Sequence, residues 1–307
     1  MTATWEDVFR EWAKAPPPAE QQTSENAIRA IKAAVSNSPK LSQRQIKTFA
    51  QGSYRNRVNV RQDSDVDVGV LCFDVFLADY PQGMNRETFG DVDANYSFQK
   101  FKKDLEEALV AHFGRRSVHR GNKAFDLSNN AHLVEADVAP FFEYRQYWQN
   151  KTFAAGVALI TDRGARIHNF PERLVEHWPA IPLHYEQGVR KNDRTSRRYK
   201  GVVRITKKLR NLMDKRAVPE AKPIPGFLIE CLVWNAPDSC FDNSTWDARV
   251  QAVLAYLLTN TASSATCDKW CEVNGIKYLF HPSQRWTRQQ AHAFVRRAGD
   301  FIGRRSA

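Results

Sequence analysis

Apolar residues recur along the first part of the chain at two different periods. Trp5, Val8, Phe9 and Trp12 fall at helical spacing, and Pro16 to Pro18 stop that helix. Residues 19–37 repeat the pattern, with Ala27, Ile28, Ile31 and Val35 on one face. KTFAQGS then reads as a short strand running into a Gly-Ser turn. VDVGVLCF alternates and then becomes wholly apolar, as a buried strand does. Pro, Gly, Asp and Asn make 79–95 a loop. Helical spacing returns over 97–113, with Phe98, Phe101, Leu105, Leu109 and Phe113. SVHR, KAFDL and HLVEADVAPFF follow as three extended segments, and KTFAAGVALI with ARIHNF predicts a hairpin about Asp162–Gly164. Beyond Pro171 the pattern predicts helices over 196–214, 226–235, 245–259 and 287–302. The expected fold class is α+β. A mixed sheet with helices, the N-terminal ones included, occupies 1–180, and a helical second lobe occupies 181–307.

Composition narrows this picture. Hydrophobic residues make up 42% of 307, and 18 Phe, 9 Tyr and 8 Trp supply a sizeable core, which excludes wholesale disorder. No apolar run approaches the roughly 20 residues of a membrane helix. The opening MTATWEDVFREW lacks the basic and apolar regions of a signal peptide. A cytoplasmic protein with no membrane association is expected. Cys72 and Cys231 sit in apolar runs, where a thiol behaves as a small hydrophobe. Cys267 and Cys271, with His281 beyond them, lack a fourth ligand at zinc spacing and read as structural.

The net charge of +11 suggests an anionic partner, and its distribution says more than its total. From Arg190 to Arg216 there are twelve Lys or Arg and two Asp, so one segment carries nearly all the excess. Such a strip fits a triphosphate cradle or a nucleic-acid groove better than a generally basic surface.

The chemistry concentrates in GSYRNRVNVRQDSDVDVGV, residues 52–70. Gly52 permits close approach of a ligand, Ser53 adds a hydroxyl, and free N–H groups at such a turn can hold phosphate oxygens. Asp65 and Asp67 stand two apart on a strand and share a face, while Val66 and Val68 turn to the core. Adjacent carboxylates repel unless a cation lies between them, and Mg²⁺ takes one or two carboxylates plus substrate phosphates. A two-metal site needs a further carboxylate, and Asp137 in HLVEADVAPFF supplies one in a strand otherwise suited to burial. Asp63 precedes the apolar strand and reads as a loop or capping residue.

Gly-Ser followed by Asp-hydrophobic-Asp-hydrophobic, with a later strand Asp, resembles the DNA polymerase beta-like nucleotidyltransferases. The fuller string QGSYRNRVNVRQDSDVDV, with LHYEQGVRKNDRTSRRYK and FLIECLVWNAPDSCF, is similar to the bacterial CD-NTases, and to their E clade above all. These are relatives of cyclic GMP-AMP synthase and oligoadenylate synthase that make cyclic oligonucleotide signals in anti-phage defence. The resemblance runs from about residue 20 to 300. It implies a nucleotidyltransferase core and an oligoadenylate-synthase-like helical lobe, with the active site in the cleft between them. It implies that Asp65, Asp67 and Asp137 are catalytic and hold two Mg²⁺ ions, for which Mn²⁺ can substitute. Gln51, Gly52 and Ser53 would form the phosphate-binding turn, and Lys207 would bind the triphosphate. Lys208, about 100° round the helix, faces elsewhere. Where relatives carry Ser-Tyr this chain has Gly226-Phe227, so a base can still stack on Phe227 but a hydroxyl contact is lost. Asn169, before Phe170-Pro171, matches a position associated with choosing uracil. An amide can pair with a pyrimidine edge, and it can also simply turn the chain.

The implied activity joins two or three nucleoside triphosphates, UTP and ATP among them, into a cyclic oligonucleotide with release of pyrophosphate. A cyclic dinucleotide containing uridine is the expected product. A monomer, no obligate nucleic acid and a separate effector protein that senses the product are expected with it. A purine cyclic dinucleotide synthase, a template-independent RNA nucleotidyltransferase and a catalytically dead scaffold remain as alternatives, with activation by duplex RNA a further variant.

Overall fold

The computed structural model describes residues 4–60, 66–128, 135–169, 183–275, 277–282 and 284–303, without the side chains of Ala154, Asn169 and Leu183. Asp63, Asp65, Phe170 and Pro171 therefore lie outside the described residues. The described chain divides into two compact units: residues 17–54 with 65–183, and residues 1–16, 55–64 and 184–307.

The first unit is built on a sheet. Helix α2 (Pro18–Ser36) opens with Pro18 in its first turn, where the missing N–H costs nothing. Strand β1 (Ile46–Ala50), the helical turn α3 (Gly52–Arg55) and strand β2 (Val66–Asp79) follow. Then come α4 (Arg86–Phe89), α5 (Phe98–Phe113), β3 (Val118–Arg120), β4 (Phe125–Leu127), β5 (Ala136–Tyr147), β6 (Phe153–Ile160) and β7 (Arg166–Asn169). Among the described residues these strands form one seven-stranded sheet. β5 pairs in parallel with β2 on one edge, and on the other edge pairs antiparallel with β4 at its start and β6 at its end. β2 is antiparallel to β1. The Ser97 hydroxyl caps α5 by accepting from the Lys100 N–H at 3.2 Å. Ile31, Ala34 and Val35 of α2 and Phe98, Phe101, Leu105 and Leu109 of α5 join Val66, Val68, Val70, Val138 and Phe142 of the sheet in one core. The Phe101 and Phe142 rings stack at 5.4 Å. Both long strands outrun the expected segments, with a bulge between Cys72 and Phe76 re-aiming the second half of β2.

Gly69 shows how tight this core is. A Cβ there would lie 2.2 Å from the Phe49 ring. Gly69→Ala should lower the stability of this unit by about 1–3 kcal/mol through overpacking. The urea midpoint by circular dichroism measures the loss.

The second unit is helical: α6 (Leu183–Arg194), α7 (Tyr199–Lys215), α8 (Gly226–Asn235), α9 (Trp246–Thr261), α10 (Ser264–Cys267) and α11 (Arg288–Gly303), with α1 (Trp5–Trp12) packed among them. The expected boundary placed both N-terminal helices with the sheet, and α1 departs from it. Trp5 and Phe9 are buried in the helical core, the Trp5 indole N–H donates to the Ile302 carbonyl at 2.8 Å, and Arg204 donates to the Ala13 carbonyl. A large aromatic stripe follows the apolar surface that covers it, not its neighbours in sequence. Among the described residues no helix is long and apolar enough to cross a membrane.

Candidate active site

The Gly-Ser turn and the acidic strand meet inside the sheet unit. β1 ends at Ala50, and the next backbone N–H, that of Gln51, donates to the Asp67 carbonyl at 2.9 Å. Gly52 takes φ +63°, a left-handed conformation that side chains other than glycine's rarely adopt. A Cβ at this position would lie 1.8 Å from Asp67 Oδ2. The glycine is therefore needed twice, for its backbone and for the space that the carboxylate occupies. Ser53 follows in the same helical turn.

Asp67 and Asp137 are direct partners in the parallel pairing of β2 and β5. Their neighbours Val66, Val68, Ala136 and Val138 are almost wholly buried on the opposite face. Asp67 is half-buried and Asp137 exposed. The strand parity read from the sequence thus holds for these two carboxylates. On the other edge of β5, Asp126 of β4 stands directly opposite Asp137. Asp126 was not singled out from the sequence, although the alternation Phe125 buried, Asp126 exposed, Leu127 buried is the pattern that would have found it. Like charges directly opposite destabilise a sheet, so the paired Asp67 and Asp137 favour a cation beside them.

Asp65 lies outside the described residues. Among the described residues no three His, Cys, Asp or Glu side chains cluster closely enough to hold a metal ion. Asp67 and Asp137 are therefore the described share of the expected donor set. Two carboxylates, one of them exposed to solvent, fit a hard divalent cation that keeps waters and substrate oxygens as its other ligands. The Cys267 thiol is buried and donates to the Ser263 carbonyl, and the Cys271 thiol donates to the Lys269 carbonyl.

The helical unit holds the expected triphosphate ligand, and holds it inside. Lys207 on α7 is 6% exposed. Its ammonium donates to the Val58 carbonyl at 3.2 Å and lies 3.8 Å from Glu230 Oε2. Burial lowers the Lys207 pKa, and Glu230 opposes the fall. Burial pushes the Glu230 carboxyl up, but His184, which meets it at 2.8 Å, and the two facing lysines hold it below its ordinary value. Phe227 is 37% exposed, with the His184 and Trp286 rings 5.5 and 5.9 Å from its own. Asn169 ends β7 with its backbone opposite Val157.

The basic strip divides between α6 and α7, and much of its charge points inward. Lys191 donates to the Ala236 carbonyl and to Asp238. Arg198 donates to the Phe241 carbonyl, and Arg204 to those of Ala13 and Arg57. Long basic side chains bury their stems and spend their N–H groups on carbonyls, which charge counting along a sequence does not detect.

Comparison with known proteins identifies relatives of the whole chain. Residues 186–303 match the cGAS/DncV-like nucleotidyltransferase C-terminal helical domain. A cyclic dipyrimidine nucleotide synthase of Legionella pneumophila is 40% identical over 306 residues, covering 98% of this chain and 99% of the relative. Another, from Cecembia lonarensis, is 38% identical over 296 residues, covering 96% and 97%. The solved structure of a Rhodothermus marinus c-UMP-AMP synthase with Apcpp and Upnpp superposes with a TM-score of 0.78 at 28% identity, covering 99% of this chain and 97% of that one.

Proposed function

Because the chain belongs to the cGAS/DncV-like nucleotidyltransferases, and to their E clade, we propose that it condenses two nucleoside triphosphates, at least one of them UTP, into a cyclic dinucleotide with release of pyrophosphate. The observation that carries this reading is the in-register pair Asp67 and Asp137 beside a glycine that nothing larger could replace. The names of the Legionella pneumophila and Cecembia lonarensis relatives favour a second pyrimidine over ATP as the partner base.

Asp67 and Asp137, with Asp65, would hold Mg²⁺, two ions in the fullest form. The metal would supply charge neutralisation at the α-phosphate and at the entering and leaving oxygens. Each residue then has a separate task. Asp137, the more exposed carboxylate, accepts the proton of the attacking ribose hydroxyl. The hydroxyl oxygen bonds to the α-phosphorus as the bond to pyrophosphate breaks. Gly52 keeps the Asp67 carboxylate in place and lets the phosphates approach, and Ser53 and the Gln51 side chain offer hydrogen bonds to them. Lys207 meets the charge of the triphosphate. Phe227 stacks on a base, and the Asn169 amide pairs with the uracil edge. A second round of the same displacement closes the ring. The family implies a role in anti-phage defence, in which a separate effector protein would sense the product.

Two substitutions test the phosphate contacts. Lys207→Met should raise KM for UTP about tenfold, the loss of one charge-assisted bond. It should also lower Tm, because Glu230 keeps only part of its counter-charge. At Gly226 a Cβ would lie 3.5 Å from Lys207 Cε, an ordinary contact. Gly226→Ser should therefore fold normally and lower KM for the triphosphate by up to about tenfold, by restoring a hydroxyl beside Lys207. Initial rates of pyrophosphate release give both values.

Base choice is tested by supplying UTP alone, UTP with CTP, and UTP with ATP, and weighing the products. Ring formation from UTP alone or with CTP supports the dipyrimidine reading. Ring formation only with ATP replaces it with a uridine–adenosine product. A ring made from purines alone overturns the assignment of Asn169.

A further inference from the structure

Three basic side chains of the helical unit converge on one aromatic ring. The Tyr185 ring on α6 has Lys200 Nζ 5.1 Å from its centroid, the Arg55 guanidinium carbon at 5.6 Å and that of Arg57 at 6.0 Å. Lys200 is the unusual member. It is 7% exposed, yet among the described residues its ammonium meets no carboxylate within ion-pair distance and no hydrogen-bond acceptor, and its hydrogen bond to Asn192 uses only the backbone N–H. The other two buried lysines of the strip, Lys191 and Lys207, each bond to a carbonyl and face a carboxylate. The stem of Lys200 is buried, but its ammonium is not one of the buried polar atoms left without a partner, so water reaches its tip and an anion could displace that water. Burial brings Lys200 down to about 8, with Glu230 and Asp193 opposing the fall and Arg57 and Arg204 adding to it. Counting Lys200 itself, three cations share the Tyr185 ring, an arrangement that suits an anion.

Backbone geometry also brings Arg57 to this point. Arg57 takes φ +55°, a strained conformation for a residue with a side chain, and Arg204 Nη1 holds its carbonyl at 3.1 Å. Lys200 and Lys207 stand seven residues apart on α7, two helical turns along one face and about 10 Å apart along the axis. Both act on the same Glu230.

We propose that Lys200, with Arg57 and Arg55 round Tyr185, is a second phosphate site of the helical unit, separate from Lys207, and that it takes the terminal phosphate of the nucleoside triphosphate. This rests on the reading of the chain as a nucleotidyltransferase and adds to it how a triphosphate is told from a diphosphate. The lysine supplies charge-assisted hydrogen bonds that it otherwise lacks, and the arginines cover the remaining oxygens.

The test is calorimetric titration of the full chain, in Mg²⁺, with uridine 5′-(α,β-methylene)triphosphate and with UDP. Lys200→Met keeps the aliphatic stem against Tyr185 and removes the charge. It should weaken the triphosphate analogue about tenfold and UDP less than about twofold, the loss of one charge-assisted contact. Lys200→Arg should recover much of that loss. Arg57→Gln, at an exposed side chain, should reduce the same preference without touching the buried lysine. Equal weakening of both ligands by Lys200→Met, or an unchanged preference in both Lys200→Met and Arg57→Gln, overturns this site and leaves the nucleotidyltransferase reading standing. If the unsubstituted protein binds neither nucleotide, both fall.

Discussion

Asp67→Asn and Asp137→Asn should each reduce product formation by on the order of 10³-fold or more, as removal of a charge-stabilising catalytic group does. Neither should unfold the chain. The two carboxylates face each other across parallel strands, and like charges so placed cost roughly 0.2–1 kcal/mol. In metal-free buffer each isosteric substitution relieves that repulsion and should change Tm far less than it changes activity. Mg²⁺ should raise the Tm of the unsubstituted protein and raise that of the variants less. Paired kinetic and thermal data separate a functional site from a structural one. A carboxylate that served the fold would lose stability and activity together. Wild-type turnover by either variant would remove it from the site.

Gly52→Ala should be nearly as damaging although it removes no chemical group. A methyl at this position meets Asp67 Oδ2 at 1.8 Å, and φ +63° already disfavours alanine. Either the turn or the carboxylate must move, and a displacement near 1 Å at a reacting centre costs about 10²-fold in rate. The backbone strain adds about 1–3 kcal/mol of destabilisation. kcat should fall far more than the affinity for UTP, since Lys207 and Phe227 belong to the other unit. A variant with unchanged kcat would show that Asp67 need not keep its place.

Much of this was legible in the residues, for a physical reason. Val66, Val68 and Val70 alternate with Asp67, and Ala136 and Val138 flank Asp137, because one face of each strand meets α2 and α5 while the other faces away from them. Period two fixes parity, so the shared orientation of the two carboxylates could be read before their pairing was known. What stayed hidden came from weaker signals. α6 shows no apolar stripe. Its inward positions are His184, Gly188 and Lys191, and its two polar side chains bury themselves through hydrogen bonds, so the string reads as a charge run rather than as a helix. Lys200 was lost in the same run, since the count of charges does not say which face each takes. Asp126 sits on a three-residue strand, where one buried–exposed–buried alternation is a weak signal. Residues 55–64 follow the Gly-Ser turn in sequence and yet belong with the helices, through the burial of Val58 and the grip of Arg204 on the Arg57 carbonyl.

The central claim is tested most directly by one incubation. The purified protein, with Mg²⁺ and all four nucleoside triphosphates, is treated with phosphatase and its products are weighed by mass spectrometry beside those of Asp67→Asn. The account predicts a phosphatase-resistant cyclic dinucleotide containing uridine, absent from the variant. Linear products alone, or the same ring made undiminished by Asp67→Asn, would contradict it.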